Sequence, residues 1–328
     1  MTLAMVCKIV FHKNERREEI VLHRVTEIQF ESGFKEMTSR GSLILPRNVA
    51  WYKTERGSRT EIRDILRRGD ALTIYFGYND NLIKEFEGYI SEVSADIPIE
   101  IKFEDEMFMI RQLPVNFSSP NITLEKLLKR IIPGYEIEAL EQVELGSVRL
   151  SKTQVGPVLE KLQSDWGFYT YVKDKKVICG KYYADDSSEK PVYFHLEKNC
   201  VSTSLNYKRA DDIRIIFRYT STLAKGEKIE VEFGDKDFNV EVSAKFNYIK
   251  IKSELQKLAE RDYKKAKVDR FDGSFTAFGI PSVRHGLKCV LDSSLYTDRK
   301  GTYYIEAVKK TFDINGIRQE ISVGEKVG

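Results

Sequence analysis

Long apolar runs are missing: nothing in the 328 residues approaches the roughly 18 uninterrupted apolar residues of a membrane-spanning helix. The first residues, MTLAMVCKIVF, carry no basic leader region and alternate as a strand does, so synthesis and folding in a cytoplasm, without a signal peptide or membrane anchor, are expected. The four cysteines, Cys7, Cys179, Cys200 and Cys289, show no CxxC spacing and lie in or beside strand-like runs, which points to buried free thiols in a reducing compartment. His12, His23, His195 and His285 form no HExxH or HxH, so no metal and no cofactor are expected. Also absent are GxSxG, the Walker loop and GxGxxG.

Charge of one sign is equally scarce. Lys plus Arg number 53 against 50 Asp plus Glu, interspersed as in KNERREE and IEVEFGDKD, which leaves no basic stripe for specific nucleic-acid binding. The run RRGD, residues 67 to 70, could join Arg63 in a small basic patch but reads most simply as a solvated turn. The pairs and triplets Glu104-Asp105-Glu106, Asp185-Asp186 and Asp211-Asp212 could supply acid and base groups. Adjacent carboxylates on a strand point to opposite faces, however, so none can grip one substrate atom, and no catalytic residue is assigned.

What is present is β-forming. The sequence has 17 Tyr and 18 Phe but only 8 Pro, and its length suits two or three domains. VCKIVF, IVLHRVTEIQF, GSLILP, ALTIYFGY and LIKEFEGYISEV read as strands, and IPIEIKFED alternates with Ile97, Ile99, Ile101 and Phe103 on one face. At about residue 120 the period changes. Leu124, Leu127, Leu128, Ile131 and Ile132 make a helical stripe with Thr123 or Asn121 as cap. Val155, Val158, Leu159, Leu162 and Trp166 make a second, with Thr153 as candidate cap and Gly167 at its end. FYTYV and KKVICG follow as a hairpin. Strand pattern resumes at IRIIFRYT, KIEVEFG and FNVEVSAKF, a helix over about 250 to 267 is expected as a surface brace, and Asn315-Gly316 reads as a type I′ hairpin turn. The expected fold is mainly β: a first antiparallel barrel over 1–112, an α/β insertion over 113–195, and a second, related barrel over 196–328 carrying the helical insertion.

The relatedness rests on a repeated phrase. RRGDALTIY (67 to 75) aligns with RHGLKCVLD (284 to 292), GYISEV (88 to 93) with GTYYIEAV (301 to 308), and IEIKFEDE (99 to 106) with RQEISVGE (318 to 325), in the same order. Gly69 then matches Gly286, and Gly88 matches Gly301. Ile90, Val93, Ile305 and Val308 should face the interiors, which requires a bulge between the members of each pair, because strict alternation would separate residues three apart.

With these phrases, the helix TLEKLLKRII, the G-x-P-x-x-R-x-G run from Gly279 to Gly286 and the aromatic-x-x-x-G hairpin from Phe312 to Gly316, the sequence resembles the baseplate hub family of phage tails. This family includes the Mu-type and late-control-D-type hubs, the base of type VI secretion spikes and related tail-associated proteins. The resemblance covers residues 60 to 130 and 274 to 328 well and the rest thinly. It implies a homotrimer whose six barrels form a ring, with a tail tube protein on one side and a spike protein on the other. It also implies assembly in the host bacterial cytoplasm and residence in the virion baseplate, with any spike or lysozyme activity on another chain. The competing class is a carbohydrate-binding or carbohydrate-active β protein using Trp51 as a stacking platform; Trp166, at the end of a helical stripe, reads as core.

Overall fold

The computed structural model describes residues 4–46, 50–52, 59–61, 65–79, 81–95, 97–173, 175–181, 189–223, 227–246 and 249–327, with residues 50–52 and 59–61 described by backbone alone. Trp51 and Asp185-Asp186, singled out above, therefore lie outside the described side chains.

The first unit is built from β1 (Met5–Phe11), β2 (Ile20–Leu22), β3 (Glu27–Gly33), β4 (Arg40–Ile44), the small hairpin β5 (Ala50–Tyr52) and β6 (Arg59–Glu61), then β7 (Ala71–Tyr78), β8 (Asn81–Val93) and β9 (Glu100–Glu104). Alternation drives these strands inward: Ile9, Phe11, Ile28, Leu72, Ile74, Ile90, Ile101 and Phe103 share one core. Ile97, expected on the inner face of β9, is instead in the turn before it and strongly exposed, because the strand begins only at Glu100.

The next segment has its own core. It comprises α1 (Met107–Ile110), β10 (Pro114–Thr123), α2 (Leu124–Ile131), β11 (Glu136–Ala139), β12 (Glu144–Gln154), α3 (Val155–Trp166), β13 (Tyr169–Lys173) and β14 (Lys176–Gly180). Thr123 caps α2 by accepting a hydrogen bond from Lys126 N, and Gly167 ends α3 in the left-handed region at φ 68°. Gln154, not Thr153, stands at the start of α3, without a side-chain cap. Leu128 and Leu162 both point into this separate core, and Trp166 packs against it and stacks on Phe168.

β15 (Val192–His195), expected at the end of that insertion, belongs to the second unit: it pairs in parallel with the strand Lys288–Asp292 and buries Phe194 there. The second unit continues with β16 (Cys200–Lys208), then β20 (Arg270–Phe278), β21 (Lys288–Asp292), β22 (Gly301–Asp313) and β23 (Gly316–Lys326). Between β16 and β20 the chain leaves to form β17 (Ile215–Thr222), β18 (Lys228–Gly234), β19 (Val240–Phe246) and α4 (Lys252–Ala266). The strands IRIIFRYT, KIEVEFG and FNVEVSAKF were expected in the second barrel. They form instead a separate three-stranded sheet, with β17 and β19 parallel, and Leu255 and Ala259 of α4 cover it. Parallel pairing needs a crossover that sequence alternation does not announce.

One 13-stranded sheet runs through both units in the order β16-β20-β23-β22-β3-β4-β9-β8-β7-β1-β2, with β15 and β21 branching from β22. Among the described residues no ladder joins its two ends. Antiparallel paths β3-β4-β9-β8-β7 and β16-β20-β23-β22-β21 have the same strand order and the same chain order, although the first is interrupted after its second strand, by β5 and β6, and the second after its first, by β17 to β19 and α4.

The last hairpin differs from the expected type I′ turn. Asp313 pairs with Gly316, so the loop residues are Ile314 and Asn315. Asn315 keeps a negative φ, its N–H donating to Asp313 Oδ1, while Gly316 takes φ 123°. That is a turn followed by a glycine in the left-handed half of backbone space. Gly316→Val should lower stability by about 1–2 kcal/mol, because a β-branched residue cannot adopt this φ without strain; urea unfolding of the variant measures it.

Candidate functional site

No catalytic residue was assigned from the sequence, and the carboxylates of the triplet at 104–106 make structural contacts. Glu104 pairs with Arg111 at 2.7 Å. Asp105 accepts from the backbone N–H groups of Ser39 and Met107, and Glu106 accepts from the Tyr135 hydroxyl at 2.6 Å and the Tyr89 hydroxyl at 3.3 Å. Asp211 and Asp212 lie on an exposed single turn of 3-10 helix. The RRGD turn holds a buried charge that the sequence did not reveal: Asp70 receives Arg16 at 2.8 Å, Arg17 at 3.2 Å and the Arg67 N–H at 3.1 Å. The thiols of Cys7, Cys179 and Cys200 are pushed by burial to about 11 and that of Cys289 to about 12, which suppresses thiolate chemistry.

The arrangement closest to catalytic geometry joins β15 to the loop after β21. Ser294 Oγ stands 2.9 Å from His195 Nε2, and Glu197 Oε2 stands 3.1 Å from His195 Nδ1. The second contact is short but badly aligned, since Nδ1 makes no hydrogen bond there. Glu197 serves the loop, accepting from Ser293 Oγ and Ser294 N–H, and these bonds hold its carboxyl below the usual range. The N–H groups of Leu295 and Tyr296 both donate to Ser293 Oγ, so neither is aimed at a substrate oxyanion. The cluster clamps a loop.

The repeat positions show which matches carry structural weight. Gly69 has φ 88° and Gly286 φ 85°; the N–H of Gly69 donates to Ile90 O at 2.8 Å and that of Gly286 to Ile305 O at 2.9 Å. Ladder register makes Ile90 the counterpart of Ile305. A register shift between Ile90 and Glu92 recurs between Ile305 and Ala307, and this bulge turns Val93 and Val308 to the side of Ile90 and Ile305. Ile90, Ile305 and Val308 are buried and Val93 packs partly against the first core.

Gly88 and Gly301 do not coincide. Gly88 lies opposite Leu72 and Tyr303 opposite Cys289, so Tyr303 occupies the place of Gly88, and Gly301 falls level with Phe86. In the first unit the backbone of Glu104 and Asp105, at the end of β9, lies against Gly88, where a Cβ would stand 2.1 Å from Glu104 O; in the second unit the register shifts between Tyr303 and Ile305, β23 continues to Lys326 opposite Tyr303, and Tyr303 belongs to its core. The sequence reading missed a true pair. Gly41, opposite Phe103, matches Gly273, opposite Val323, and a Cβ at either would meet the backbone oxygen of the neighbouring strand, Gln29 O at 2.3 Å or Ser204 O at 2.2 Å. The residues they share in sequence, Gly-Ser followed by Leu43 or Phe275, make a phrase too short to have marked them.

The two units meet along β22. Its first residues pair with β21, and Ala307 to Phe312 pair with β3 of the first unit. Tyr303, Ile305 and Val308 lie in the second core, while Phe312 and Ile317 lie in the first. Between them Lys310, 8% exposed, forms an ion pair with Glu85, 3% exposed, and donates to Ser282 Oγ at 2.6 Å; Ser282 also donates to Glu85 at 3.0 Å. Glu85 is the extra residue of a bulge in β8. Gln319 closes the plug, donating to Phe278 O and Pro281 O and accepting from the Val283 N–H.

A third contact joins both units to the insertion. The His285 ring lies 5.3 Å from Phe34 and 5.5 Å from Tyr171, centroid to centroid, near edge-on to each. The residue keeps some solvent contact, but its Nδ1 is enclosed without a hydrogen bond, and burial, then the charges of Arg284 and Lys173, push it down to about 4. A depressed histidine contributes stability above its unfolded value near 6.5, and this is lost as pH falls toward 4. Asp105, pushed up to about 6 by burial, acts oppositely, its contribution being lost as pH rises through 6. The acid loss should therefore be read as a difference: the melting temperature of His285→Phe should fall less than that of the parent between pH 6.5 and 4. Equal falls would show that His285 does not sense pH.

Among the described residues no cluster of His, Cys, Asp and Glu could hold a metal ion, and no helix is long and apolar enough to cross a membrane. No protein-family model and no curated protein matches the sequence. Solved structures do, and they define a class of fold: that of phage and prophage tail proteins and of type VI secretion components. The tail protein from Neisseria meningitidis MC58 is similar at a TM-score of 0.64 and 11% identity, over 98% of this chain and 96% of that one. The 43 kDa tail protein of prophage MuSo2 from Shewanella oneidensis gives 0.62 and 12%, over 97% and 98%. The E. coli c3393 protein, a type VI secretion component with structural similarity to the T4 bacteriophage tail proteins gp27 and gp5, gives 0.55 and 10%, over 92% and 73%. The chain has this fold from end to end.

Proposed function

We propose that the protein is a structural component of a phage or prophage-derived tail baseplate hub. In this reading it is a homotrimer whose paired β units present six similar faces to a tail tube protein and three to a spike protein. The supporting observation is the repeat: two units with one strand order and matching bulges, within a fold shared along its whole length with tail proteins. A threefold assembly meets a sixfold tube when each subunit offers two equivalent surfaces, and duplication of one unit supplies them. We read the role as non-enzymatic: the Glu104-Asp105-Glu106 triplet and the His195 cluster are engaged in packing and loop closure. The protein would assemble in the bacterial cytoplasm and reside in the virion tail. Sedimentation at increasing concentration, with negative-stain images, tests this: a ring of three chains and six lobes is expected, with no release of product from peptidoglycan or model glycosides. A monomer at all concentrations, or turnover abolished by one carboxylate substitution, would overturn the reading.

A further inference from the structure

The contact between the two units inside one chain is heterologous: the outer edge of β3 in the first takes the far half of β22 in the second, Gly33 opposite Ala307 through Ile28 opposite Phe312. Ladder register through Gly41 and Gly273 makes β3 the counterpart of β16, with Phe30 matching Leu205, and hence Ser32 matching Tyr207 and Gly33 matching Lys208. Register through the shared bulge makes β22 the counterpart of β8, with Ala307 matching Glu92 and Val308 matching Val93. Both counterparts of the internal contact are open. Among the described residues the outer edge of β16 pairs with nothing, and β8 runs past the start of β7, which ends its ladder at Ala71 opposite Tyr89, so that Ser91 to Val93 have no ladder partner on that side.

We infer that β16 of one copy pairs with the Ser91–Val93 extension of β8 in the next copy, repeating between chains the junction that β3 and β22 make within a chain. This rests on the hub reading and names the surfaces that would build its ring. Transposed onto these strands, the internal register places Lys208 opposite Glu92 and Tyr207 opposite Val93, so unlike charges face one another at the position of Gly33 and Ala307. Both charged side chains are well exposed within one chain, each with an intrachain partner, Asp272 for Lys208 and Lys102 for Glu92. The same surfaces carry exposed apolar groups: Val201, 48% exposed at a bulge in β16, and Ile97, 71% exposed in the turn that follows β8. In the β22–β23 hairpin the corresponding end sends Phe312 and Ile317 into the neighbouring core, so an apolar residue here has a precedent in the molecule. An open edge of this length invites pairing, and two unlike edges on one chain make a head-to-tail contact, which gives a ring where the rotation between copies closes.

The test is an intermolecular disulfide between E92C and K208C, placed together in the full chain with Cys200→Ser to remove the half-buried thiol on the same strand. Oxidation should give covalent species that stop at a trimer, and neither single cysteine should give them. Independently, E92K should weaken association at least tenfold by sedimentation, and E92K with K208E should restore it. A trimer that forms without the disulfide and ignores both charge reversals overturns this pairing while leaving the ring reading intact. A chain that sediments as a monomer and forms no disulfide overturns both.

Discussion

Glu85→Ala should lower stability by about 3–5 kcal/mol, the largest effect expected of a single polar substitution in this chain. The carboxylate is nearly inaccessible and its partner Lys310 equally so, with Ser282 Oγ between them. Removing Glu85 leaves an ammonium between two apolar cores, where burial already pushes the Lys310 amine below its ordinary value and Glu85 is the group that opposes this. With Glu85 gone the depression deepens. A lysine with a lowered folded value loses stability as pH falls below its unfolded value near 10.4, so the variant should recover part of its loss in urea unfolding as pH rises from 7 toward 10. Glu85→Met with Lys310→Met should restore most of it at pH 7, because two apolar side chains of similar length remove the charge and fill the space. A Glu85→Ala variant as stable as the parent would show that the pair is open to water.

Gly88→Ala should cost at least about 2 kcal/mol, and more than Gly286→Ala, although both replace a glycine of the repeated phrase. At Gly88 the added Cβ would stand 2.1 Å from Glu104 O and 2.9 Å from Asp105 Cα, and both atoms belong to the backbone where β9 ends. Relief requires moving a strand. At Gly286 the nearest atom is Phe34 Cζ at 3.5 Å, so the cost is that of φ 85° alone, about 1–2 kcal/mol. Thermal unfolding of the two variants side by side distinguishes a steric from a conformational requirement; equal losses would refute it.

Much of this architecture was legible in the sequence. Apolar alternation and helical stripes marked most strands of the two related units and both insertion helices, because burial of one face imposes its period on a chain wherever it lies; β15 and the largely exposed β16 were not read, and IVLHRVTEIQF, read as one strand, is two, β2 and β3. The RRG and RHG phrases marked Gly69 and Gly286, since a positive φ needs a glycine in any context. A bulge after Ile90 and Ile305 followed from counting, as residues three apart cannot share a face of a regular strand. Other features came only with the tertiary structure. Gly88 and Gly301 look alike but answer to different neighbours, and Gly41 and Gly273 match with only a following Ser and apolar residue in common, because close approach of a backbone from another strand leaves little local trace. The separate sheet of β17 to β19, the parallel partner of β15, and the division of β22 between two cores depend on which edges meet, and alternation says which side of a strand is apolar but not which strand lies beside it. Lys310 reads as one more charged residue among KKT until Glu85 arrives from a strand 225 positions away. Sequence by itself determined the elements and their repetition; tertiary pairing decided where two copies of one unit meet, because hydrogen-bonded edges carry no residue code of their own.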